Sequence, residues 1–178
     1  MNDGHKESIL LIGFMGSGKS TLGKLLSSRL FLPFMDTDAQ IETEQKKSIT
    51  DIFAQDGEEA FRRMETQVLR SLGDSRMRRV ISTGGGLPMR EENRALLKRA
   101  GRVVFLRIRP DTVYERLRGD NTRPLLQKED PEAEIRRLLA VRNPLYEEAA
   151  DLIVDVDGKA PEELAEELLV KLKGEMRQ

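Results

Sequence analysis

The sequence contains no cysteine and no tryptophan, and only 4% of its residues are aromatic. Without cysteine, disulfides and thiolate metal sites are excluded. Long apolar runs are also missing, because the longest, such as residues 9–12, extend over only a few positions. A bilayer span needs about 20 apolar residues, and the polar first residues do not have the pattern of a signal peptide. We therefore expect a cytoplasmic protein that does not associate with a membrane.

An excess of charge of either sign is missing as well. The chain has 30 Lys and Arg residues against 31 Asp and Glu residues, which gives a formal net charge of −1. General nucleic-acid binders present a broad basic face to the phosphate backbone, and this balance excludes such a face. The length of 178 residues is that of one domain. We predict a single domain over residues 1–178, and we expect a monomer.

Short apolar runs alternate with longer segments of helical periodicity. Strands are predicted over residues 8–13, 34–36, 79–83, 103–106 and 152–156. Helices are predicted over residues 19–30, 37–45, 48–55, 58–72, 91–100, 111–118, 130–149 and 161–172. The fourth strand is almost continuously apolar, as expected of a parallel strand covered on both faces. The alternation predicts an α/β fold of three layers, with a parallel sheet between helices.

A glycine-rich motif follows the first predicted strand and opens the first predicted helix. It matches the phosphate-binding P-loop pattern GxxxxGK[ST] in Gly13-Phe14-Met15-Gly16-Ser17-Gly18-Lys19-Ser20. Backbone N–H groups and the helix N-terminus attract a polyphosphate there, Lys19 can reach its β- and γ-phosphates, and Ser20 can ligate Mg²⁺. We expect the nucleotide to contact Met15, Gly16, Ser17, Gly18, Lys19, Ser20 and Thr21. The alternative is a glycine-rich turn without a ligand.

An acidic pair, Asp36 and Asp38, follows the second predicted strand. In open parallel sheets, ligands bind beyond the carboxyl ends of the strands, so this pair is expected to face the phosphate site. One carboxylate could hold Mg²⁺ through water, and the other could hold or deprotonate an acceptor hydroxyl. Either residue could instead be the N-cap of the next helix.

The chain lacks the Asn-Lys-x-Asp run with which GTPases recognise guanine.

Three arginines are candidates for binding anions. Arg62 is followed three residues later by Glu65, which a helix brings to the same face. Arg62 and Arg142 could together clamp a carboxylate, since a guanidinium matches that group bidentately. Arg123 lies in the polar loop 119–129, from where it could neutralise charge on a transferred phosphoryl group. The alternative for each is a solvated surface arginine.

In their order and spacing, these motifs are similar to those of the shikimate kinase family, and the resemblance extends over about residues 9–172. Beyond the P-loop, the resemblance rests on Asp36-Thr37-Asp38, Asp51-Ile52-Phe53, Gly57-Glu58, Phe61-Arg62, Gly84-Gly85-Gly86, Arg123-Pro124-Leu125-Leu126, and Arg142 before Pro144-Leu145-Tyr146. It implies a P-loop NTPase fold of the nucleoside-monophosphate-kinase type, with strand order 2-3-1-4-5. It further implies transfer of the ATP γ-phosphate to the 3-hydroxyl of shikimate, a step of aromatic amino-acid biosynthesis.

The resemblance also implies roles for individual residues. Shikimate would contact Asp38, Arg62, Gly85 and Arg142, while Lys19 and Arg123 would contact nucleotide phosphates and Ser20 and Asp36 would serve Mg²⁺. The catalytic residues would be Lys19, Asp38 and Arg123. The substrate-binding helical segment would be about residues 37–65 and the lid about 115–130, with either Arg116 or Arg118 beside the adenine.

Two other functions compete with this interpretation. A gluconate kinase of the same fold would also bind an acid that carries hydroxyl groups. A nucleotide-binding switch would bind ATP without transferring phosphate, but it would not need the acidic pair or the polar loop. Comparing turnover with shikimate, with gluconate and without acceptor separates the three functions.

Overall fold

A computed structural model of the chain describes residues 7–120 and 127–174. Within these ranges, the strands form one parallel sheet in the order β2-β3-β1-β4-β5. They are β1 (Ser8–Ile12), β2 (Phe34–Asp36), β3 (Val80–Ser82), β4 (Gly101–Arg107) and β5 (Leu152–Asp155). The predicted strand order is confirmed, and each predicted strand is present with its ends within two residues of the predicted ones.

Helices cover both faces of this sheet, as the alternating pattern predicts. They are α1 (Lys19–Leu30), α2 (Thr37–Gln45), α3 (Ile49–Gln55), α4 (Glu58–Asp74), α5 (Glu91–Ala100), α6 (Pro110–Leu117), α7 (Pro131–Ala149) and α8 (Pro161–Gly174). A short 3-10 helix, Leu87–Met89, follows the triple glycine and was not predicted from the sequence. None of the described helices is both long and apolar enough to cross a membrane.

The central strand β1 explains how the sheet assembles the candidate site. All of its residues are buried, and Leu10 pairs with Ile81 of β3 on one side and Val103 of β4 on the other. On the far side of β3, Asp36 of β2 pairs with Ser82. Because the strands are parallel, the segments that follow β1, β2 and β3 leave the sheet at the same edge. The P-loop, the acidic pair and the triple glycine therefore meet there.

Helix α7 brings Arg142 and Tyr146 to that edge although Pro144 lies inside the helix. Asp130 is the N-cap and accepts a hydrogen bond from the Ala133 N–H at 3.0 Å, so α7 begins one residue after the start of the predicted segment. Near the other end, the fully buried ring of Tyr146 packs on Phe105 of β4 with 5.0 Å between ring centroids. This packing holds the second half of α7 against the sheet.

Candidate active site

The P-loop connects β1 to α1 and leaves the start of that helix open. Gly18 is the N-cap with φ of 90°, a left-handed conformation that favours glycine. No side chain of the described residues caps the first N–H groups of α1, so they are available to an anion. Lys19 donates from Nζ to the carbonyls of Gly13 at 2.8 Å and Phe14 at 3.0 Å. Its ammonium group thus lies across the loop that would hold the phosphates.

Asp36 uses its two carboxylate oxygens for different contacts. Oδ1 accepts hydrogen bonds from the N–H groups of Asp38 and Ala39, at 3.0 and 3.1 Å, and so caps α2. Oδ2 accepts from the Ser20 hydroxyl of the P-loop at 3.0 Å. The N-cap and the phosphate-site interpretations of Asp36 are therefore both compatible with its position.

The Ser20 and Asp36 pair is suited to a hard cation. Among residues 7–120 and 127–174, no group of three or more His, Cys, Asp or Glu side chains could hold a metal. Mg²⁺ does not require such a group, because it is commonly bound by one or two protein oxygens together with phosphates and waters. A hydroxyl and a carboxylate oxygen beside the P-loop fit this donor set.

Asp38 and Glu65 approach each other on either side of Gly84. A Cβ atom at position 84 would lie 2.7 Å from Asp38 Oδ1 and 3.0 Å from Glu65 Oε1, so a side chain there would displace these carboxylates. Both oxygens are buried and accept no hydrogen bond from the described residues. Burial, together with the charge of Asp36, raises the pKa of Asp38, although Lys19 and Arg62 oppose the shift. A carboxylate with a raised pKa is the better proton acceptor.

Glu65 also orients Arg62, as its spacing predicted. It lies among the buried residues of α4 and is fully buried itself, and its Oε2 accepts from Arg62 Nη1 at 2.8 Å. Burial raises the pKa of Glu65 to about 7, against the opposing effect of Arg62. The exposed carboxylate of Glu58 accepts from Arg62 Nη2 at 3.3 Å. A Cβ atom at Gly86 would lie 2.6 Å from either terminal nitrogen of Arg62, so the guanidinium adjoins the triple glycine.

Arg142 approaches the same turn from α7. Its guanidinium lies over the ring of Phe14 in the P-loop, 5.4 Å from the centroid. One helical turn later, the Tyr146 hydroxyl donates to the Gly85 carbonyl at 2.6 Å. Burial raises the pKa of that hydroxyl, and the charges of Arg142 and Arg62 both oppose the rise. The two arginines therefore converge on the triple glycine, which the spacing of the sequence does not reveal.

Most of the predicted site residues lie at this one edge of the sheet. They are the P-loop residues with Lys19 and Ser20, and Asp36, Asp38, Arg62, Gly85 and Arg142. Arg123 lies outside the described residues, as do the other residues of the predicted lid between 121 and 126, and its role stays a prediction. Arg116 Nη1 donates to the Gly16 carbonyl at 2.8 Å, whereas Arg118 is the C-cap of α6. Arg116 therefore adjoins the P-loop.

Two contacts of the triple glycine were not predicted from the sequence. The Thr37 hydroxyl accepts from the Gly84 N–H at 3.1 Å, and the Tyr146 hydroxyl holds Gly85. Both residues lie within motifs noted in the sequence, but nothing in the spacing indicated what they contact. Such contacts depend on strand order and helix packing.

Comparison with known proteins agrees with this geometry. A family model described as "Shikimate kinase" matches residues 15–173. The shikimate kinase of Symbiobacterium thermophilum is 42% identical over 170 residues, which cover 93% of this chain and 96% of that protein. The shikimate kinase of Bacillus cereus strain AH187 is 45% identical over 166 residues, covering 93% of this chain and 98% of that protein.

Solved structures give the same result. The shikimate kinase of Acinetobacter baumannii in complex with shikimate has a TM-score of 0.87 at 37% identity, covering 96% of this chain and 95% of that one. The Aquifex aeolicus shikimate kinase has a TM-score of 0.83 at 41% identity, covering 94% and 97%. A gluconokinase from Sinorhizobium meliloti, at 19% identity and a TM-score of 0.58 over 97% and 94% of the two chains, shares only the fold. The chain belongs to the shikimate kinase family.

Proposed function

We propose that this protein transfers the γ-phosphoryl group of ATP to the 3-hydroxyl of shikimate, giving shikimate 3-phosphate and ADP. In this reaction the hydroxyl oxygen forms a bond to the γ-phosphorus while the bond to the oxygen of the leaving ADP breaks. The hydroxyl proton leaves the substrate in the same process. The family supports the reaction, and the side chains at the sheet edge support a role for each residue.

The P-loop would hold the phosphates of ATP. The uncapped N–H groups of α1 and the Nζ of Lys19 offer donors to negative oxygens, and their positive charge balances charge that develops in the transition state. Lys19 already lies across the loop, within hydrogen-bond distance of Gly13 and Phe14. Arg116, bonded to the Gly16 carbonyl, is our candidate for the adenine side.

Ser20 and Asp36 would hold Mg²⁺ together with the phosphates. The ion would neutralise charge on the β- and γ-phosphate oxygens. The protein's own contribution is the placement of the two oxygens, because Asp36 is fixed by capping α2 through its other oxygen. The charge of the carboxylate then attracts the cation to the phosphate site.

The acceptor would lie between the acidic pair and the triple glycine. Arg62 and Arg142 would bind the shikimate carboxylate, with Gly85 beside them, and Asp38 would receive the proton of the 3-hydroxyl. The observation that carries this proposal is the position of Asp38, whose buried oxygen lies beside Gly84 and accepts no hydrogen bond from the described residues. Burial raises the pKa of Asp38, and the charges of Lys19 and Arg62 both oppose the rise. A base at that point adjoins the phosphate site and the arginines together.

A coupled assay of ADP formation tests the proposed function. With ATP and Mg²⁺, we expect strong turnover with shikimate, weak turnover with gluconate and negligible turnover without acceptor, and ³¹P NMR should identify a 3-phosphate as the product. Equal turnover with gluconate would contradict the assignment of shikimate as the acceptor. ATP hydrolysis that does not depend on shikimate would contradict phosphoryl transfer as the function. The predicted monomer, cytoplasmic location and lid stay predictions.

A further inference from the structure

The proposed function gives no role to Tyr146, a buried polar side chain of the site. Tyr146 is fully buried on α7, and its hydroxyl donates to the Gly85 carbonyl at 2.6 Å. The two residues are 61 positions apart in the chain. A phenylalanine could pack on Phe105 equally well, so the packing of the ring does not explain the hydroxyl.

The hydroxyl fixes the middle of a turn that has no side chains of its own. Within the triple glycine, the Gly84 N–H is held by Thr37, and the carbonyls of Gly84 and Gly86 accept from Leu87 and Met89 at 3.1 Å each. These contacts hold the two ends of the turn. The Gly85 carbonyl is held from α7, by Tyr146.

Arg142 precedes Tyr146 by one helical turn of α7, and side chains four residues apart lie on the same face of a helix. Burial raises the pKa of Tyr146 to about 12, with the charge of Arg142 opposing the shift, so the phenol is protonated and donates at neutral pH. Its proton is directed to Gly85, and its oxygen lone pairs remain to interact with the Arg142 guanidinium. One hydroxyl thus links two groups that the proposed function assigns to shikimate.

We propose that Tyr146 is a positioning residue that couples the Gly85 backbone to the Arg142 guanidinium and so preorganises the acceptor site. The proposal rests on the proposed function, because Gly85 and Arg142 are taken to contact shikimate. In this proposal Tyr146 would touch neither the phosphates nor the reacting hydroxyl. Its removal should affect acceptor binding more than the chemical step.

Tyr146→Phe tests the proposal, since it removes one hydroxyl and keeps the ring that packs on Phe105. We expect the KM for shikimate to rise about three- to tenfold, the equivalent of one lost neutral hydrogen bond, with little change in kcat or in the KM for ATP. Tyr114→Phe is the matched control because Tyr114 is the only other tyrosine, and it should leave all three constants unchanged. Thermal unfolding of both variants checks that the fold is retained.

A second measurement does not depend on turnover. In ¹H–¹⁵N NMR spectra of the ligand-free protein, Tyr146→Phe should shift the amide signals of residues 84–86 and the Nε signal of Arg142, and Tyr114→Phe should not. An unchanged shikimate KM in folded Tyr146→Phe, or unshifted signals, would overturn the proposal. Wild-type protein without shikimate-dependent turnover would instead contradict the proposed function, and the NMR comparison would still decide whether Tyr146 couples the two groups.

Discussion

The Ser20 hydroxyl lies 3.0 Å from Oδ2 of Asp36 and so joins the P-loop to the end of β2. The other oxygen of Asp36 is occupied at the start of α2. One carboxylate therefore contributes to the folding of a helix and also provides a negative charge at the phosphate site. A substitution that removes only the charge can separate the two contributions.

Asp36→Asn should do so, because asparagine caps helices about as well as aspartate but carries no charge. We expect thermal stability to change little and the Mg²⁺ concentration required for half-maximal turnover to rise, with partial recovery at high Mg²⁺. The measurement is ADP formation across a Mg²⁺ titration, with thermal unfolding beside it. A variant with the Mg²⁺ dependence of the wild type would contradict the metal assignment.

Lys19→Ala should reduce kcat by about 10²–10³-fold, because it removes a positive charge directed at developing negative charge in the transition state. The chain offers a matched control in Lys24→Ala, on the exposed side of the same helix with its ammonium group 6.0 Å from the Phe34 ring centroid. The control should keep wild-type turnover. Similar losses in both variants would show that the effect is on α1 as a whole.

Asp38→Asn should lower kcat by about 10²–10⁴-fold, the usual contribution of a positioned general base. The amide can still contact the acceptor hydroxyl, so the KM for shikimate should change far less. Because the substitution removes a carboxylate whose pKa is raised by burial, we expect no loss of thermal stability. A kcat equal to that of the wild type would exclude Asp38 as the base.

Arg62→Lys should raise the KM for shikimate about 10- to 150-fold, the equivalent of about 1.5–3 kcal/mol for a charge-assisted hydrogen bond. Lysine keeps the charge and loses the planar guanidinium that matches a carboxylate. The neighbouring Arg63 is exposed and pairs with Glu59 at 3.7 Å, so Arg63→Lys is the control and should bind shikimate normally. An unaltered KM in Arg62→Lys would contradict the carboxylate clamp.

Glu65→Gln should change how stability depends on pH. The folded protein holds the Glu65 carboxyl with a pKa of about 7 against an ordinary value of 4.5, so between these values it binds a proton that the unfolded chain releases. Stability from this group is therefore present at low pH and is lost as pH rises towards 7. Relative to Glu65→Gln, the wild type should lose about 2 kcal/mol of unfolding free energy between about pH 5 and pH 8.

Denaturant unfolding at several pH values measures this difference. Glu58→Gln provides the comparison, because Glu58 bonds the same arginine but is largely exposed, with 67% of its side chain accessible. Its difference from the wild type should stay constant across the same range. A constant difference for Glu65→Gln as well would mean that the carboxyl of Glu65 is not titrating near neutrality.

Local patterns were sufficient to predict the elements and the phosphate site. The P-loop is one continuous segment between a strand and a helix, so its chemistry depends on neighbours in the sequence. The contact between Arg62 and Glu65 was predictable for the same reason, because residues three apart share a helix face. The amphipathic pattern of α4 also ends close to the predicted residue. The 3-10 helix after the triple glycine was not predictable, since glycine itself favours no single conformation.

The distant contacts of the acceptor site became clear only from the folded chain. Nothing in the spacing indicates that Asp38 and Glu65 approach Gly84, or that Tyr146 bonds Gly85. Each contact joins segments whose distance in space is set by strand order and by the helices packed on the sheet. Periodicity shows which side of an element is buried but not which element covers it. The amino-acid sequence thus specified the donors and acceptors, and the parallel sheet, by ending β1, β2 and β3 at one edge, decided which of them meet.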